Sequence, residues 1–456
     1  MSVQNRESFG SRFSFVMAMA GSAIGLGNIW RFPYMVGEYG GAAFIIIYMV
    51  CCLLVSLPIF YCEAIIGRRS RNSMYNAMNA LAPGTRWNIV GTACIIGAFI
   101  IFSFYSVVGG WSLDYFARSC ISNFNVNTTE QASSLFSGFS SSVLESSIVF
   151  TLFVAITMVI VRFGIKDGIE KFTKIATPAL AVLIVLVAVY SVSLPGSRPG
   201  VEYLLKPDWS KVTAKTVAFA MGQSFFSMSL GVGSVAIYSS FMKKSDNIAS
   251  VGLWTAGFDT LFATVAGFAV MPAVFAAGLE PGSGPSLVFE TLPYIFTKMG
   301  ENTPVISRII SIVFFLAVFI AALTSSVSMC EVCVEHSVEH KGHSRGKASF
   351  QLFWKSWILG MLCCLSFGVL GNVKIFGNTI FGLCDMVSSN FFMTLISFFL
   401  CIFVGWKMKK SEVYEEFTNG GSLKASGKIF RILYFLIRWV VPVMIVAIFV
   451  SNLVLS

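Results

Sequence analysis

Long apolar runs separated by short polar segments dominate the chain. Runs near the roughly 20 residues needed to cross a bilayer fall at 13–36, 41–67, 88–117, 144–162, 173–194, 214–241, 247–278, 304–334, 350–370, 376–406 and 429–455. No polar linker is long enough to separate soluble domains. The pattern predicts an all-α polytopic membrane protein of about eleven transmembrane helices, residues 1–456 forming one membrane domain. Two polar interruptions are longer than turns. Segment 119–143 is rich in Ser, Asn and Thr, and 279–303 reads as a Gly/Pro turn plus a short amphipathic helix, either a lid or a plain surface loop.

Composition sharpens this reading. Apolar residues make up 56% of the 456 positions and charged residues only 12%, about half the soluble average. The net charge of +10 does not point to nucleic acid, because most Lys and Arg fall in alternate loops: the N-terminus (Arg6, Arg12), 68–86, 162–174, Lys243 with Lys244, 341–355 and 407–431. The positive-inside bias puts the N-terminus in the cytoplasm, and eleven crossings of a cell membrane put the C-terminus outside. The first run is too long for a signal peptide and has no small-residue cleavage site, so it reads as a true span. Most of the eleven cysteines, Cys51, Cys52, Cys94, Cys363 and Cys364 among them, lie within spans, and Cys120 has no obvious partner, so no disulfide framework is expected.

One stretch breaks the apolar pattern from within. GSAIGLGNIWRFPY, residues 21–34, places three glycines, Asn28, Arg31 and a proline inside the first run. GLGN at 25–28 recurs as GVGS at 231–234 in the sixth run. Five crossings separate the copies, so the second half is inverted, giving repeats of about 10–195 and 214–406 and an extra last helix at about 429–455. Interrupted helices at corresponding places in inverted halves point to a transporter site at the midplane. A helical glycine costs about 1 kcal/mol against alanine, and unpaired backbone groups in hydrocarbon cost several more. Unwinding at Ser22–Leu26 and Met228–Gly231 would free carbonyl oxygens for a hard cation and helix N-termini for a carboxylate, as a cation-coupled amino-acid carrier requires. The alternative, Gly21-x-x-x-Gly25 as a packing motif, leaves Asn28 and Arg31 at depth unexplained. A dinucleotide fingerprint fails for want of a third glycine and a preceding strand.

These residues, with YGGAAF at 39–44, SFFSMSLGVGSVAIYSSF at 224–241 and ALTSSVSMCEV at 322–332, resemble the neurotransmitter:sodium symporter family, in its bacterial amino-acid-transporter branch, to about residue 406. The resemblance implies a 5+5 inverted-repeat fold with helices 1 and 6 broken at the midplane, and two Na+ ions. One sodium site would take the carbonyl of Ala23, the side chains of Asn28 and Asp259, the carbonyl and hydroxyl of Ser227, and the substrate carboxylate. The other would take carbonyls of Gly21, Ile24 and Ala321 with the hydroxyls of Thr324 and Ser325. Family members often carry Thr where this chain has Ser227.

The implied substrate pocket comprises Ser22, Ala23, Gly25, Leu26, Ile101, Tyr105, Phe226, Ser227, Ser229, Val232, Ser325 and Met329, Tyr105 donating to the substrate carboxylate and forming a thin outer lid with Phe226. Arg31 and Asp385 match the outer charged gate, and Arg6 and Glu339 the inner one; Phe9 stands where relatives often have tryptophan. Glu63 reads as an acceptor for N–H groups freed by an unwound helix. Chloride-dependent animal relatives resemble the segment around Asp259 but carry asparagine there, and a serine where this chain has Ala263, so no chloride is expected. The Asp259 carboxylate would bind sodium inward and be protonated on the empty return. Val232 replaces a phenylalanine found in a relative specific for small aliphatic substrates, which favours larger apolar or aromatic cargo.

Alternatives accompany several of these assignments. Hydroxyls such as those at 324–326 commonly bond back along their own helix. His336, His340 and His343 could share a helical face as metal ligands, yet their basic loop and missing fourth ligand favour a solvated face. The reading is a non-enzymatic sodium-coupled symporter importing a neutral L-amino acid by alternating access, its partners being that substrate and the lipid bilayer. Rivals are the same fold carrying a small amino acid or related amine, a channel, which would need a continuous polar pore, and a non-transporting amino-acid sensor.

Overall fold

The structure, a computed structural model, describes residues 8–121, 124, 126–279, 288–300, 303–422 and 426–455. Among these, nine unbroken helices are long and apolar enough to cross a membrane. In chain order the main elements are α1 (Arg12–Ala23), α2 (Gly27–Glu38), α3 (Ala42–Ser70), α4 (Asn88–Ile121), α5 (Val143–Arg162), α6 (Ile165–Ser193), α7 (Ala214–Ser227), α8 (Ser234–Ser240), α9 (Ile248–Ala276), α10 (Pro304–Lys341), α11 (Arg345–Leu365), α12 (Ile380–Lys407) and α13 (Gly427–Val450). The pairs α1/α2 and α7/α8 are each interrupted where the sequence is rich in glycine. They occupy the first and sixth of the eleven expected spans.

Lipid satisfies no backbone group, so every span is helical and the apolar side chains face either lipid or one another. The centre is built from α4 and α10, whose aromatic rings interleave: Tyr115 lies 5.3 Å from Phe315, and Phe116 stacks on Phe319 at 6.4 Å. Around Trp111 gather Phe136, Phe289 and Phe367 at 4.9–5.8 Å. This ties α4 to the Thr129–Ser141 helix and to the segment leading into the Thr291–Met299 helix. The latter is the short amphipathic helix expected after the Gly/Pro turn; the turn itself, 280–287, lies outside the described residues.

Some loops are more ordered than their composition suggests. Thr128 accepts from the backbone N–H of Gln131 and starts a helix in the Ser/Thr-rich segment. Helices Met74–Leu81 and Lys410–Thr418 occupy basic segments expected to be loops. α10 runs on to Lys341, so His336 and His340 sit on its last turns and not in a loop. They are not simply solvated either: their rings stack at 5.2 Å and both meet the edge of Tyr75. His343 Nδ1 bonds instead with Ser337 Oγ at 3.1 Å. Among the described residues no group of three or more His, Cys, Asp or Glu is placed to hold a metal ion.

Candidate functional site

The two interruptions meet. α1 ends at Ala23, Ile24 is extended (φ −77°, ψ 100°), and the chain resumes as helix at Gly27, bent by 49°. The break is thus narrower than the expected Ser22–Leu26, because Ile24 N–H still reaches Ala20 O at 2.7 Å. The second break is longer than expected, running from Met228 to Gly233, with Ser229, Gly231 and Gly233 all at positive φ. Gly231 is obligatory twice over: φ is +78°, and a Cβ would come within 2.3 Å of Met393 O. Glu63 of α3 accepts from Gly231 N at 2.7 Å and Ala236 N at 3.3 Å, the role expected of it. The C-terminal ends of α1 and α7 and the N-terminal ends of α2 and α8 therefore converge, presenting carbonyl oxygens and N–H groups together.

On one side of this junction, oxygen atoms cluster around Asp259 of α9, which is fully buried. Asp259 Oδ1 accepts from Ser227 Oγ at 2.7 Å and from Asn28 Nδ2 at 2.8 Å. Asn28 Nδ2 also lies 3.0 Å from Ser227 Oγ, while its Oδ1 accepts from Gly25 N at 3.1 Å. A half turn of this amide, which carries both donor and acceptor, would bring its oxygen to the cluster. The sequence reading missed Tyr48 of α3, which donates to Asp259 Oδ2 at 2.7 Å.

A second cluster lies between α1 and α10. Thr324 Oγ1 is 3.3 Å from Ile24 O and 3.0 Å from Ala321 O, so the bond back along the helix and the contact across to α1 coexist. Ser325 Oγ meets Ser22 O at 3.3 Å, and Gly21 faces the Thr324 side chain.

Between the clusters is a cavity of about 30 Å³ lined by Ala23, Gly25, Gly27, Ile101, Tyr105, Phe226, Ser227, Ser229, Val232, Ser325, Met329 and Met393. Ten of the expected substrate residues are in this wall. Ser22 and Leu26 stand just behind it: Ser22 Oγ donates to Ser328 Oγ at 2.8 Å, and Leu26 N–H donates to Tyr105 OH at 3.1 Å. Gly27 and Met393 were not foreseen. Gly27 belongs to the glycine motif, whereas Met393 is an apolar residue in an apolar run and carries no signal. A cavity this small must widen to take any amino acid.

The expected gates are less complete. Arg31 projects over the Phe226 ring, 5.2 Å from its centre. Asp385 is exposed and accepts from Ser389 Oγ at 3.0 Å. Among the described residues no direct ion pair joins Arg31 and Asp385. At the opposite end Glu339 Oε2 accepts from Ser73 N at 2.6 Å and Asn76 Nδ2 at 3.3 Å; Arg6 lies outside the described residues. Phe9 is buried, edge-on to Phe15 at 5.2 Å and Tyr238 at 6.1 Å.

With this geometry in view, the likenesses to known proteins are specific. The model of the sodium:neurotransmitter symporter family matches residues 6–134 and 129–456. An uncharacterized sodium-dependent transporter of Bacillus subtilis is 34% identical over 99% of this chain and 98% of its own length. One from Haemophilus influenzae is 34% identical over 99% of both. The crystal structure of MhsT in complex with L-phenylalanine superposes with a TM-score of 0.89 at 36% identity, covering 98% of this chain and all of that one.

Proposed function

The chain belongs to the sodium:neurotransmitter symporter family and is a sodium-coupled secondary transporter of the membrane with the 5+5 inverted-repeat fold; on that premise we propose that it imports a neutral L-amino acid with a hydrophobic or aromatic side chain by alternating access. The observation that carries this reading is the junction itself. Opposed half-helix ends offer N–H groups and oxygens to an amino acid's charged ends, while Ile101, Val232, Met329 and Met393 offer an apolar wall to its side chain. L-Phenylalanine bound to MhsT supports the aromatic choice.

In this reading the Asp259 cluster takes one sodium ion with Ala23, Asn28, Ser227 and the substrate carboxylate. The cluster of Gly21, Ile24, Ala321, Thr324 and Ser325 takes the second. Tyr105 turns from Leu26 N–H toward the substrate carboxylate, Phe226 closes above, and Arg31 swings from Phe226 to meet Asp385. The repeats are 10–195 and 214–406, the N-terminus faces the cytoplasm and the C-terminus the outside. Because Asp259 supplies a negative charge beside the first sodium, no chloride is needed, and protonation of that carboxylate permits the empty return. Each sodium moved down 100 mV contributes about 2.3 kcal/mol, roughly fifty-fold accumulation of a neutral solute.

The test is uptake into proteoliposomes. Labelled phenylalanine should accumulate only with a sodium gradient, should survive replacement of chloride by gluconate, and should exchange with unlabelled phenylalanine in counterflow. The rival reading is the same cycle carrying a small amino acid. Competition by alanine and glycine but not by phenylalanine or tryptophan would establish that instead.

A further inference from the structure

The short helix Lys410–Thr418, beyond the end of α12, carries its charges on two separate faces. Glu412, Glu415 and Glu416 turn toward α3, where the Arg69 guanidinium lies 3.3, 3.3 and 3.5 Å from them and Arg68 Nε meets Glu416 Oε2 at 2.8 Å. Lys410, Ser411 and Tyr414 face the other way, toward Lys428 and Arg431 at the start of α13, and an open cavity of about 730 Å³ lies between them. The acids that could neutralise these cations are committed to α3. Among the described residues no carboxylate comes within ion-pair distance of Lys410, Lys428 or Arg431. Three like charges around one cavity repel one another unless an anion joins them.

The surroundings are aromatic and cationic. Tyr414 and Phe430 line the cavity, and Tyr434 packs behind Phe430, with ring centres 5.1 and 5.5 Å apart and Lys410 Nζ 5.3 Å from the Tyr434 ring. Close by, Trp406 and Trp439 meet at 4.7 Å with the Arg438 guanidinium 4.4 Å over Trp406. Half-exposed tryptophans beside cations have the composition of a membrane–water boundary. Between the cavity and Trp439, α13 exposes Ile429, Ile432 and Phe435, each by more than half, as an apolar strip leading toward the bilayer.

We infer that this cavity binds the phosphodiester headgroup of an anionic phospholipid, on the face that the positive-inside bias assigns to the cytoplasm. Lys410, Lys428 and Arg431 meet the phosphate, Ser411 and Tyr414 supply hydroxyls, and the acyl chains lie along the exposed apolar face of α13. A free phosphate ion has the same charge chemistry but gains nothing from that face, so the two sources can be told apart.

Native mass spectrometry of the full chain in detergent, titrated with phosphatidylglycerol or phosphatidylethanolamine, tests the site. Each Lys or Arg near an anionic membrane surface contributes about fivefold in binding. Wild type should retain phosphatidylglycerol selectively, Arg431→Gln about fivefold less, and the triple variant Lys410→Gln/Lys428→Gln/Arg431→Gln roughly 100-fold less. The charge-keeping Lys410→Arg/Lys428→Arg should bind as wild type does, and sodium-dependent phenylalanine binding reports that each variant is folded. Equal retention of phosphatidylglycerol by wild type and Arg431→Gln overturns the proposal. So does displacement of the lipid from wild type by millimolar inorganic phosphate, which would make this a free-anion site.

Discussion

Tyr48 donates its hydroxyl to Asp259 Oδ2 at 2.7 Å, leaving Oδ1 to Ser227 and Asn28. The phenol therefore fixes which edge of the carboxylate faces the oxygen cluster. A hydrogen bond to a charged group contributes about 1.5–3 kcal/mol. Tyr48→Phe should raise the sodium concentration for half-maximal uptake roughly tenfold or more, with little change in rate at saturating sodium. A sodium titration of uptake in proteoliposomes measures this, and an unshifted curve would reduce Tyr48 to a packing residue.

Gly25 is enclosed by the groups it helps to position. A Cβ there would lie 2.3 Å from Ser325 Oγ and 3.1 Å from Tyr105 OH, and Gly25 N is held by Asn28 Oδ1. The chain cannot retreat without disturbing both clusters. Displacing a positioned group by about 1 Å can cost about 100-fold, so Gly25→Ala should lose uptake on that scale. Destabilisation should stay within the roughly 1–3 kcal/mol of overpacking, and a thermal melt beside the transport assay separates the two effects.

The fold was legible because its strongest signals are local. Apolar run lengths mark the spans, and glycines clustered in two of them mark the breaks. Asn28, Asp259 and Thr324 stand out for a reason visible in one dimension: polar groups in hydrocarbon need partners. Tyr48 and Met393 do not stand out, since an aromatic ring and a thioether suit a span whatever they touch, and only the packing of α3 and α12 brings them to the site. The short helices Met74–Leu81, Thr129–Ser141 and Lys410–Thr418 escaped notice because they depend on caps and on partners far away in sequence, as Lys410–Thr418 depends on Arg68 and Arg69. Arg31 and Asp385 illustrate another limit. Residue types single out two charges for a proposed gate, but not whether they are joined in a given conformation.

Glu63 holds the second break from outside it, accepting from Gly231 N and Ala236 N while fully buried. Glu63→Ala orphans both donors, at about 1–3 kcal/mol each. The variant should unfold at a markedly lower temperature than wild type in detergent. Glu63→Gln keeps one acceptor oxygen and should fall between them. Equal melting of all three would mean that the α7/α8 break is held by other contacts.

Val232 is buried in the cavity wall, which Ile101 and Met329 also line. A phenyl ring there fills volume that a large substrate side chain must use. Val232→Phe should shift competition toward alanine and leucine and against tryptophan, by an amount comparable to the 1–3 kcal/mol that one or a few methylenes command in a hydrophobic pocket. Unchanged ranking of competitors would locate the specificity wall elsewhere, with Met393 the next residue to alter.

Asp259 is buried with three neutral donors, Asn28, Ser227 and Tyr48, and the pairs formed among the described residues give it no cation. An isolated buried carboxylate is costly unless it meets a cation or takes a proton. In the proposed cycle sodium meets that need on the inward journey and a proton on the return. Lowering the internal pH at constant external pH and sodium should therefore speed wild-type turnover, because protonation readies the empty carrier. Asp259→Asn keeps one acceptor oxygen but removes the charge. It should abolish this internal-pH effect and either slow the empty return or make uptake depend on chloride. A several-fold fall in wild-type uptake when gluconate replaces chloride, at constant sodium and pH, would show that the built-in carboxylate does not serve as the counter-charge.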